Sequence, residues 1–145
     1  MKVTILYFSR YGNGKKCMEQ LKGMLEQRGC LADVSSVADM DPKKLPAADI
    51  YVFSTPTEAF GIAGPMKGFL KNLDAPKGTK YALFDTHALA KPRATPKMEK
   101  LLNKKGMTLV AKADTQVGGK GEKVCLQEGY IKQLEHLADN IAPKA

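Results

Sequence analysis

Residues 3–15 read VTILYFSRYGNGK, and this stretch decides the fold class of the chain. The run from Val3 to Phe8 is apolar nearly throughout, which is typical of a β-strand buried on both faces of a parallel sheet. After the turn, an apolar stripe with helical spacing starts at Cys17, and Gly29 marks the end of the helix that this stripe predicts. A strand, a short turn and a helix together form the basic unit of an α/β sheet.

The alternation of strands and helices continues along the chain. Further apolar runs predict strands over residues 31–37, 50–53, 81–84 and 107–113. Apolar stripes predict helices over residues 66–73, 98–102 and 130–141, and the segment 38–49 predicts one short helix at residues 42–45. Five strands that alternate with helices predict a single α/β domain over residues 1–145, with a three-layer, doubly wound parallel sheet.

Composition and charge argue against several classes of protein. The three cysteines form no CxxC pair and no Cys/His cluster, which argues against a disulfide framework or a zinc site. No apolar stretch approaches the roughly 18 residues that span a bilayer, and no signal-peptide pattern is present, so we expect a cytoplasmic protein without membrane insertion. The net charge of +8 favours acidic partners. Because no aromatic residues are interleaved with the lysines, solvated helix faces explain most of this charge, and nucleic-acid binding has no support.

The expected position of a ligand follows from the predicted sheet. In doubly wound sheets, ligands bind at the carboxyl ends of the strands, where the strand order reverses. Three predicted loops follow such ends, at residues 9–14, 54–64 and 85–94. We therefore expect any binding site to consist of these three loops.

The first loop has the composition of a phosphate-binding turn. It consists of Ser9, Arg10, Tyr11, Gly12, Asn13, Gly14 and Lys15. Both glycines and the asparagine tolerate positive φ angles, which point successive N–H groups into one concavity, and a helix N-terminus follows. Ser9 offers a hydroxyl, and Arg10 or Lys15 offers a formal positive charge. The Walker pattern is absent and the GxGxxG fingerprint is incomplete, so a nicotinamide site on the first strand is not expected.

The loops together resemble the flavodoxin family, whose phosphate loop reads [ST]-x-T-G-x-T after the first strand. Ser9, Gly12 and Asn13 fit that pattern, as do the preceding Tyr7-Phe8 and the lysine pair that opens the helix. The second loop adds Ser54-Thr55-Pro56-Thr57, Gly61, Gly64-Pro65 and Phe69-Leu70, which resemble the flavin-ring loop of the family. Residues 118–121, followed by Glu128-Gly129, resemble the tail of short-chain flavodoxin-like proteins.

The resemblance implies a cofactor, a strand order and a set of contacts. The cofactor is flavin mononucleotide (FMN), and the parallel strands follow the order 2-1-3-4-5. Residues 9–15 would wrap the FMN phosphate. One face of the flavin ring would lie along Thr55, Pro56, Thr57, Glu58, Ala59, Phe60 and Gly61, and its other side would lie along Asp85, Thr86 and His87.

The sequence also departs from the family pattern. Tyr11 and Gly14 replace two hydroxyl positions of the phosphate loop. Glu58 stands where the family often places an aromatic ring that stacks on the flavin, and a carboxylate there would repel a reduced, anionic flavin. Phe60 is the residue that could take over the stacking. His87 is expected to be a solvated histidine of a polar loop.

Three functions remain open from the sequence. The favoured one is an FMN-binding electron-transfer protein that shuttles electrons between redox partners, with an acidic partner protein favoured by the net charge. The alternatives are an FMN-dependent NAD(P)H:quinone-type reductase and a flavin-free flavodoxin-like interaction module. By resemblance, a peptide at residues 59–61 would reorient when the flavin is reduced.

Overall fold

The structure is a computed structural model that describes residues 1–119 and 124–144. The strands are β1 (Lys2–Tyr7), β2 (Leu31–Ser36), β3 (Ile50–Glu58), β4 (Gly61–Ile62), β5 (Lys80–His87), β6 (Thr108–Gly118) and β7 (Cys125–Leu126). The helices are α1 (Asn13–Gln27), α2 (Gly64–Lys71), α3 (Ala94–Lys104) and α4 (Tyr130–Ile141), with a short 3₁₀ helix at Val37–Asp39. Residues 120–123, which include part of the predicted glycine-rich tail, lie outside the described residues.

The predicted parallel sheet is confirmed. Its parallel strands lie in the order β2-β1-β3-β5-β6, which is the predicted order 2-1-3-4-5 when these five strands are counted alone. Two short strands extend it: β4 pairs antiparallel with β3, and β7 pairs antiparallel with β6. The sheet order therefore reverses beside β1, between β1 and β3, where ligands bind in this architecture.

The sheet separates two apolar cores, which gives the three layers. Helices α1 and α4 pack on one face, and α2 and α3 pack on the other. Neighbouring residues of β1 alternate between them, because Ile5 belongs to the first core and Leu6 to the second, and both are fully buried. This explains why the first strand is apolar at nearly every position.

One predicted helix is absent and is replaced by turns. Residues 42–45 do not form a helix, and the 3₁₀ helix lies earlier, where the Ser36 side chain accepts a hydrogen bond from the Ala38 N–H. The Asp41 carboxylate accepts a hydrogen bond from the N–H of Lys43, two residues on. Such an Asx turn competes with a helical hydrogen bond, which accounts for the wrong prediction.

Three strands extend beyond their apolar runs. β3 continues to Glu58, β5 to His87 and β6 to Gly118, because the backbone pairing continues after the side chains become polar. Thr55 pairs with Asp85 in this extended register. The prediction that residues 85–87 begin a loop is therefore wrong. Among the described residues, no helix combines the length and hydropathy needed to cross a membrane.

Candidate functional site

A cavity of about 350 Å³ opens at the carboxyl edge of the sheet. Its described lining residues are Ser9, Arg10, Tyr11, Asn13, Gly14, Pro56, Thr57, Glu58, Thr86, Ala88, Val117, Gly119 and Val124. Parts of all three predicted loop regions therefore meet in one place. The fourth wall consists of Val117 near the end of β6 and of Gly119 and Val124 beyond it. Sequence reasoning did not include it, because the apolar run of that strand ends at Ala113.

The turn after β1 is held by its own serine. Gly12 adopts a left-handed conformation, with φ 90°, and its N–H donates to Ser9 Oγ at 3.0 Å. Asn13 and Gly14 are already part of α1, and only Gly12 within the turn has a positive φ. Of the three residues that tolerate a positive φ, Gly12 alone therefore adopts one. The Asn13 side chain instead donates to the backbone carbonyl of Val124 at 3.1 Å, which ties the helix start to the fourth wall.

The N-terminus of α1 is open toward an anion. No side chain of the described residues caps this helix, and its first turn contains no acidic residue but has Lys15 and Lys16. The first N–H groups of a helix have no intrahelical acceptor, and the helix dipole adds partial positive charge there. Two lysines at this end are unfavourable for an isolated helix. A bound anion would offset both the dipole and the lysine charge.

A buried hydroxyl lies directly beneath this helix start. A Cβ atom on Gly14 would stand 3.4 Å from Ser54 Oγ and 3.7 Å from Ser9 Oγ, so α1 begins in close contact with both serines. Ser54 is completely buried, and its hydroxyl has no hydrogen-bond partner among the described residues. Buried hydroxyls are normally paired, so this one fits a ligand oxygen. The sequence analysis named Ser54 in the resemblance to the flavin-ring loop but did not include it among the expected contacts, although it is the first polar residue after the apolar run of β3.

Arg10 and Glu58 form an ion pair at the rim of the cavity. Arg10 Nη2 lies 2.7 Å from Glu58 Oε1, and Arg10 Nε donates to the other carboxylate oxygen. The hydrogen bond and charge of Glu58 raise the pKa of Arg10, and the guanidinium also lies 5.1 Å from the centre of the Phe8 ring. The pair changes two expectations. Arg10 points at Glu58 and not at the α1 N-terminus, and the carboxylate charge of Glu58 is already matched.

The β3–β4 hairpin turn is strained. Its two central residues, Ala59 and Phe60, have φ angles of 48° and 63°, although neither is glycine. Two-residue hairpin turns with two positive φ angles favour Asn-Gly, so side chains at both positions are costly. Gly61, in contrast, is an ordinary strand residue that pairs with Glu58. Phe60 is 61% exposed and does not line the cavity, whereas Tyr11 does.

Asp85 binds a second helix N-terminus and does not face the cavity. Its buried carboxylate accepts hydrogen bonds from the N–H groups of Ala94 and Thr95, both at 3.1 Å, and from the Thr95 hydroxyl at 3.0 Å. The Thr57 hydroxyl donates to its other oxygen at 2.7 Å. Burial raises the pKa of Asp85, and these hydrogen bonds oppose that shift. The N–H groups at the start of α3 are thus bound by the Asp85 carboxylate, whereas no side chain of the described residues binds those at the start of α1.

His87 is buried at the end of β5. Its Nε2 lies 2.7 Å from the Asp114 carboxylate, and its Nδ1 contacts the backbone carbonyl oxygen of Leu89. The expectation of a solvated histidine is wrong, because the extension of β5 and β6 brings His87 and Asp114 together. Neither residue lines the cavity, but the neighbouring Thr86 and Ala88 do.

The predicted site residues divide into two groups. Those that line the cavity are Ser9, Arg10, Tyr11, Asn13, Gly14, Pro56, Thr57, Glu58 and Thr86. The others lie beside it or behind it, and they are Gly12, Lys15, Thr55, Ala59, Phe60, Gly61, Asp85 and His87. Thr55 is completely buried, and its hydroxyl donates to the carbonyl oxygen of Pro56. On β3 the cavity is lined by the last three residues of the strand, which are Pro56, Thr57 and Glu58.

Comparison with known proteins identifies the family. The sequence profile of the flavodoxin domain matches residues 4–120, which is most of the chain. The chain therefore belongs to the flavodoxin domain family. No curated protein sequence matches it significantly.

Solved structures share the whole fold. A flavodoxin from Streptococcus pneumoniae TIGR4 superimposes with a TM-score of 0.82 at 18% identity, with 100% of each chain covered. A flavodoxin from the domain Archaea gives a TM-score of 0.79 at 21% identity, covering 98% of this chain and 96% of that one. Rubredoxin oxygen:oxidoreductase from Desulfovibrio gigas gives 0.79 at 19% identity, with 97% of this chain matching 35% of that longer chain. At these identities the likeness establishes the fold alone.

Proposed function

We propose that the chain binds FMN in the cavity and acts as an electron-transfer protein, as a single domain over residues 1–145. The observation that carries the proposal is the pairing of an uncapped helix N-terminus with a buried, unpaired hydroxyl. The N–H groups at the start of α1 and the hydroxyl of Ser54, which lies beneath Gly14 and behind the cavity lining, would form one donor set. A phosphate dianion is the ligand group that such a donor set suits best.

The phosphate end of the site consists of neutral donors with lysines outside them. Ser9, Asn13 and Gly14 line the cavity there, and Ser54 lies beneath Gly14. Arg10 is held by Glu58 and therefore contributes its charge to the rim of the cavity and not to the phosphate. Lys15 is exposed outside the lining, where it favours an anion at the helix start without contacting it.

The remainder of the cavity suits a flat ring. Its volume of about 350 Å³ lies within the range of about 300–1,000 Å³ typical of cofactor sites. Tyr11 supplies an aromatic wall, Pro56 and Val117 supply apolar walls, and Thr57 and Thr86 supply polar groups. Bound FMN would supply the electron-accepting and electron-donating chemistry. The protein would hold the ring, limit its contact with water and set the charge around it through the Arg10–Glu58 pair.

We favour a function in which the bound flavin exchanges electrons with another protein. The family profile is that of the flavodoxin domain, and two of the solved structures with the same fold are named flavodoxins. We propose a redox partner protein of acidic character, because the net charge of the chain is +8.

A flavin titration tests the proposal. Quenching of FMN fluorescence is expected to reach saturation at about one FMN per chain. Riboflavin, which lacks the phosphate, is expected to bind at least about tenfold more weakly, because each hydrogen bond to a charged group contributes about 1.5–3 kcal/mol. Equal dissociation constants for the two flavins would show that the phosphate does not lie at the α1 N-terminus. No quenching with either flavin would contradict the function and favour a flavin-free interaction module.

A further inference from the structure

A groove lined by four lysines runs beside the β3–β4 hairpin. It has a volume of about 580 Å³, and its lining residues are Glu58, Ala59, Gly61, Ile62, Lys67, Lys97, Lys100, Leu101 and Lys104. Lys67 lies on α2, and the other three lysines lie on α3 at spacings that place them on one helix face. All four are exposed. Two helices and the hairpin thus present one basic surface, which we call the lysine groove.

The charge of the lysine groove is not balanced within the described parts of the chain. Glu58 is the one acidic residue among the lining residues, and its carboxylate already pairs with Arg10. Lys97 is fixed by a hydrogen bond from its Nζ to the carbonyl oxygen of Phe60 at 3.1 Å. Lys100 and Lys104 are one helical turn apart, and like charges at that spacing destabilise a helix. An anionic partner would remove this repulsion.

Exposed apolar side chains lie at the same edge of the sheet. Tyr11, Phe60 and Leu89 are 53%, 61% and 58% exposed. Phe60 is in the turn that borders the lysine groove, and it lines a small cleft together with Leu89. Exposed apolar side chains surrounded by a polar rim are typical of surfaces that bind other proteins. A nucleic-acid surface would instead interleave stacking rings with the lysines, and the lysine face of α3 contains none.

We propose that the lysine groove and Phe60 together dock an acidic electron-transfer protein. The inference rests on the proposed function, since it identifies the surface at which that function meets its partner. Glu58 lines both the groove and the proposed flavin cavity, so the two share one wall. An acidic protein seated in the groove therefore reaches the rim of the cavity, where an electron has a short path to travel. The Arg10–Glu58 pair keeps that shared wall from repelling the partner.

The test measures electron transfer from the reduced, FMN-loaded chain to plastocyanin, an acidic copper protein that accepts one electron. The variant Lys100→Glu/Lys104→Glu replaces two of the four groove lysines, which changes the summed charge at these four positions from +4 to zero. Its matched control is Lys43→Glu/Lys44→Glu, which changes two exposed lysines in the segment between the 3₁₀ helix and β3. Each variant replaces two positive charges with two negative ones, so both have a formal net charge of +4, down from +8. FMN affinity and thermal unfolding are measured for all three proteins.

At low salt, the groove variant is expected to transfer electrons to plastocyanin about tenfold more slowly than wild type, and the control less than twofold more slowly. The difference should disappear in about 0.5 M salt, because screening shortens the reach of the lysine charges. With cytochrome c, a basic acceptor, the groove variant should be faster than wild type. Equal slowing of the two variants with plastocyanin would overturn the docking surface and leave the flavin function intact.

Docking can also be tested without flavin. Plastocyanin titrated into the isotope-labelled, flavin-free chain should shift the backbone amide resonances of Gly61, Lys100 and Lys104 by heteronuclear NMR, and the groove variant should abolish those shifts. If the chain binds no FMN but these shifts occur, the proposed function fails and the docking surface stands. Resonance shifts scattered over all lysines, or a double-stranded oligonucleotide that competes for the groove, would overturn the inference.

Discussion

Replacing Ser54 with alanine is expected to have opposite effects on the flavin-free chain and on FMN binding. In the flavin-free chain, the Ser54 hydroxyl is completely buried without a partner among the described residues. Leaving a buried hydroxyl unpaired costs about 1–3 kcal/mol. Ser54→Ala removes that cost together with one packed atom. The free energy of unfolding of the flavin-free chain should therefore rise, by about 1 kcal/mol.

FMN binding should weaken in the same variant. The Ser54 hydroxyl lies 3.4 Å from the position of a Gly14 Cβ, beneath the helix start where we place the phosphate. A hydrogen bond to a charged group contributes about 1.5–3 kcal/mol, which corresponds to a loss of about 10- to 100-fold in affinity. Riboflavin affinity should remain that of the wild type, because riboflavin has no phosphate to accept this hydrogen bond.

A second buried hydroxyl provides the control. Thr4 is 2% exposed in β1, and its hydroxyl is also unpaired among the described residues, but the heavy atoms nearest to a Gly14 Cβ belong to Ser54 and Ser9 and not to Thr4. Thr4→Val should raise the free energy of unfolding without changing FMN affinity. Urea denaturation and fluorescence titration measure the two quantities for both variants. The assignment of Ser54 to the phosphate would be refuted if Ser54→Ala bound FMN as tightly as wild type. It would also be refuted if the flavin-free variant were less stable than wild type.

Three further predictions concern the hairpin and its anchor. Glu58→Gln should tighten the binding of reduced FMN and raise the potential for its second electron by a few tens of millivolts at low salt. The reason is that the substitution leaves the Arg10 charge unpaired at the cavity rim. Unchanged midpoint potentials in a redox titration would place the Arg10–Glu58 pair away from the flavin. Ala59→Gly should stabilise the chain to urea by about 0.5–1 kcal/mol, since glycine tolerates the φ of 48°, and a loss of stability would contradict the strain. Burial raises the pKa of Asp85, so as the pH falls the folded chain binds this proton before the unfolded chain does. The free energy of unfolding of wild type, relative to that of Asp85→Asn, should therefore increase as the pH falls from the raised pKa to 3.8. Urea titrations that show a constant difference over this pH range would contradict the prediction.

The sequence was sufficient to predict the strands of the sheet and their order, but not the polar residues that extend three of these strands. The apolar run at residues 3–8, the turn at Gly12 and the helical stripe from Cys17 fixed the first unit, because burial on both faces leaves a clear pattern. The ends of β3, β5 and β6 could not be predicted, because there the backbone pairing continues under polar side chains. That extension pairs His87 with Asp114, two residues 27 positions apart whose contact no local pattern indicates.

The site was predicted in part for a related reason. The glycine-rich turn is a local feature, so the cavity residues from Ser9 to Gly14 were accessible from the sequence. The roles of single side chains depend on partners far along the chain, which the sequence does not reveal. Arg10 pairs with Glu58, which lies 48 positions further along the chain, and Asp85 accepts hydrogen bonds from the first N–H groups of α3. The unpaired hydroxyl of Ser54 is visible only once the neighbouring helix is in place.

The hydrogen bonds to Asp85 also predict which backbone amides exchange slowly with solvent. Amides at a helix N-terminus usually face water and lose their protons quickly, because they have no acceptor within the helix. The amides of Ala94 and Thr95 instead donate to a fully buried carboxylate, so the start of α3 should exchange as slowly as the sheet. Thr57 is held by its hydroxyl, which donates to the same carboxylate, and by strand pairing with Ile62, whereas Ala59, two residues on, lies in the strained turn. In deuterated solvent the boundary between slow and fast exchange should therefore fall inside a single hairpin, between Thr57 and Ala59.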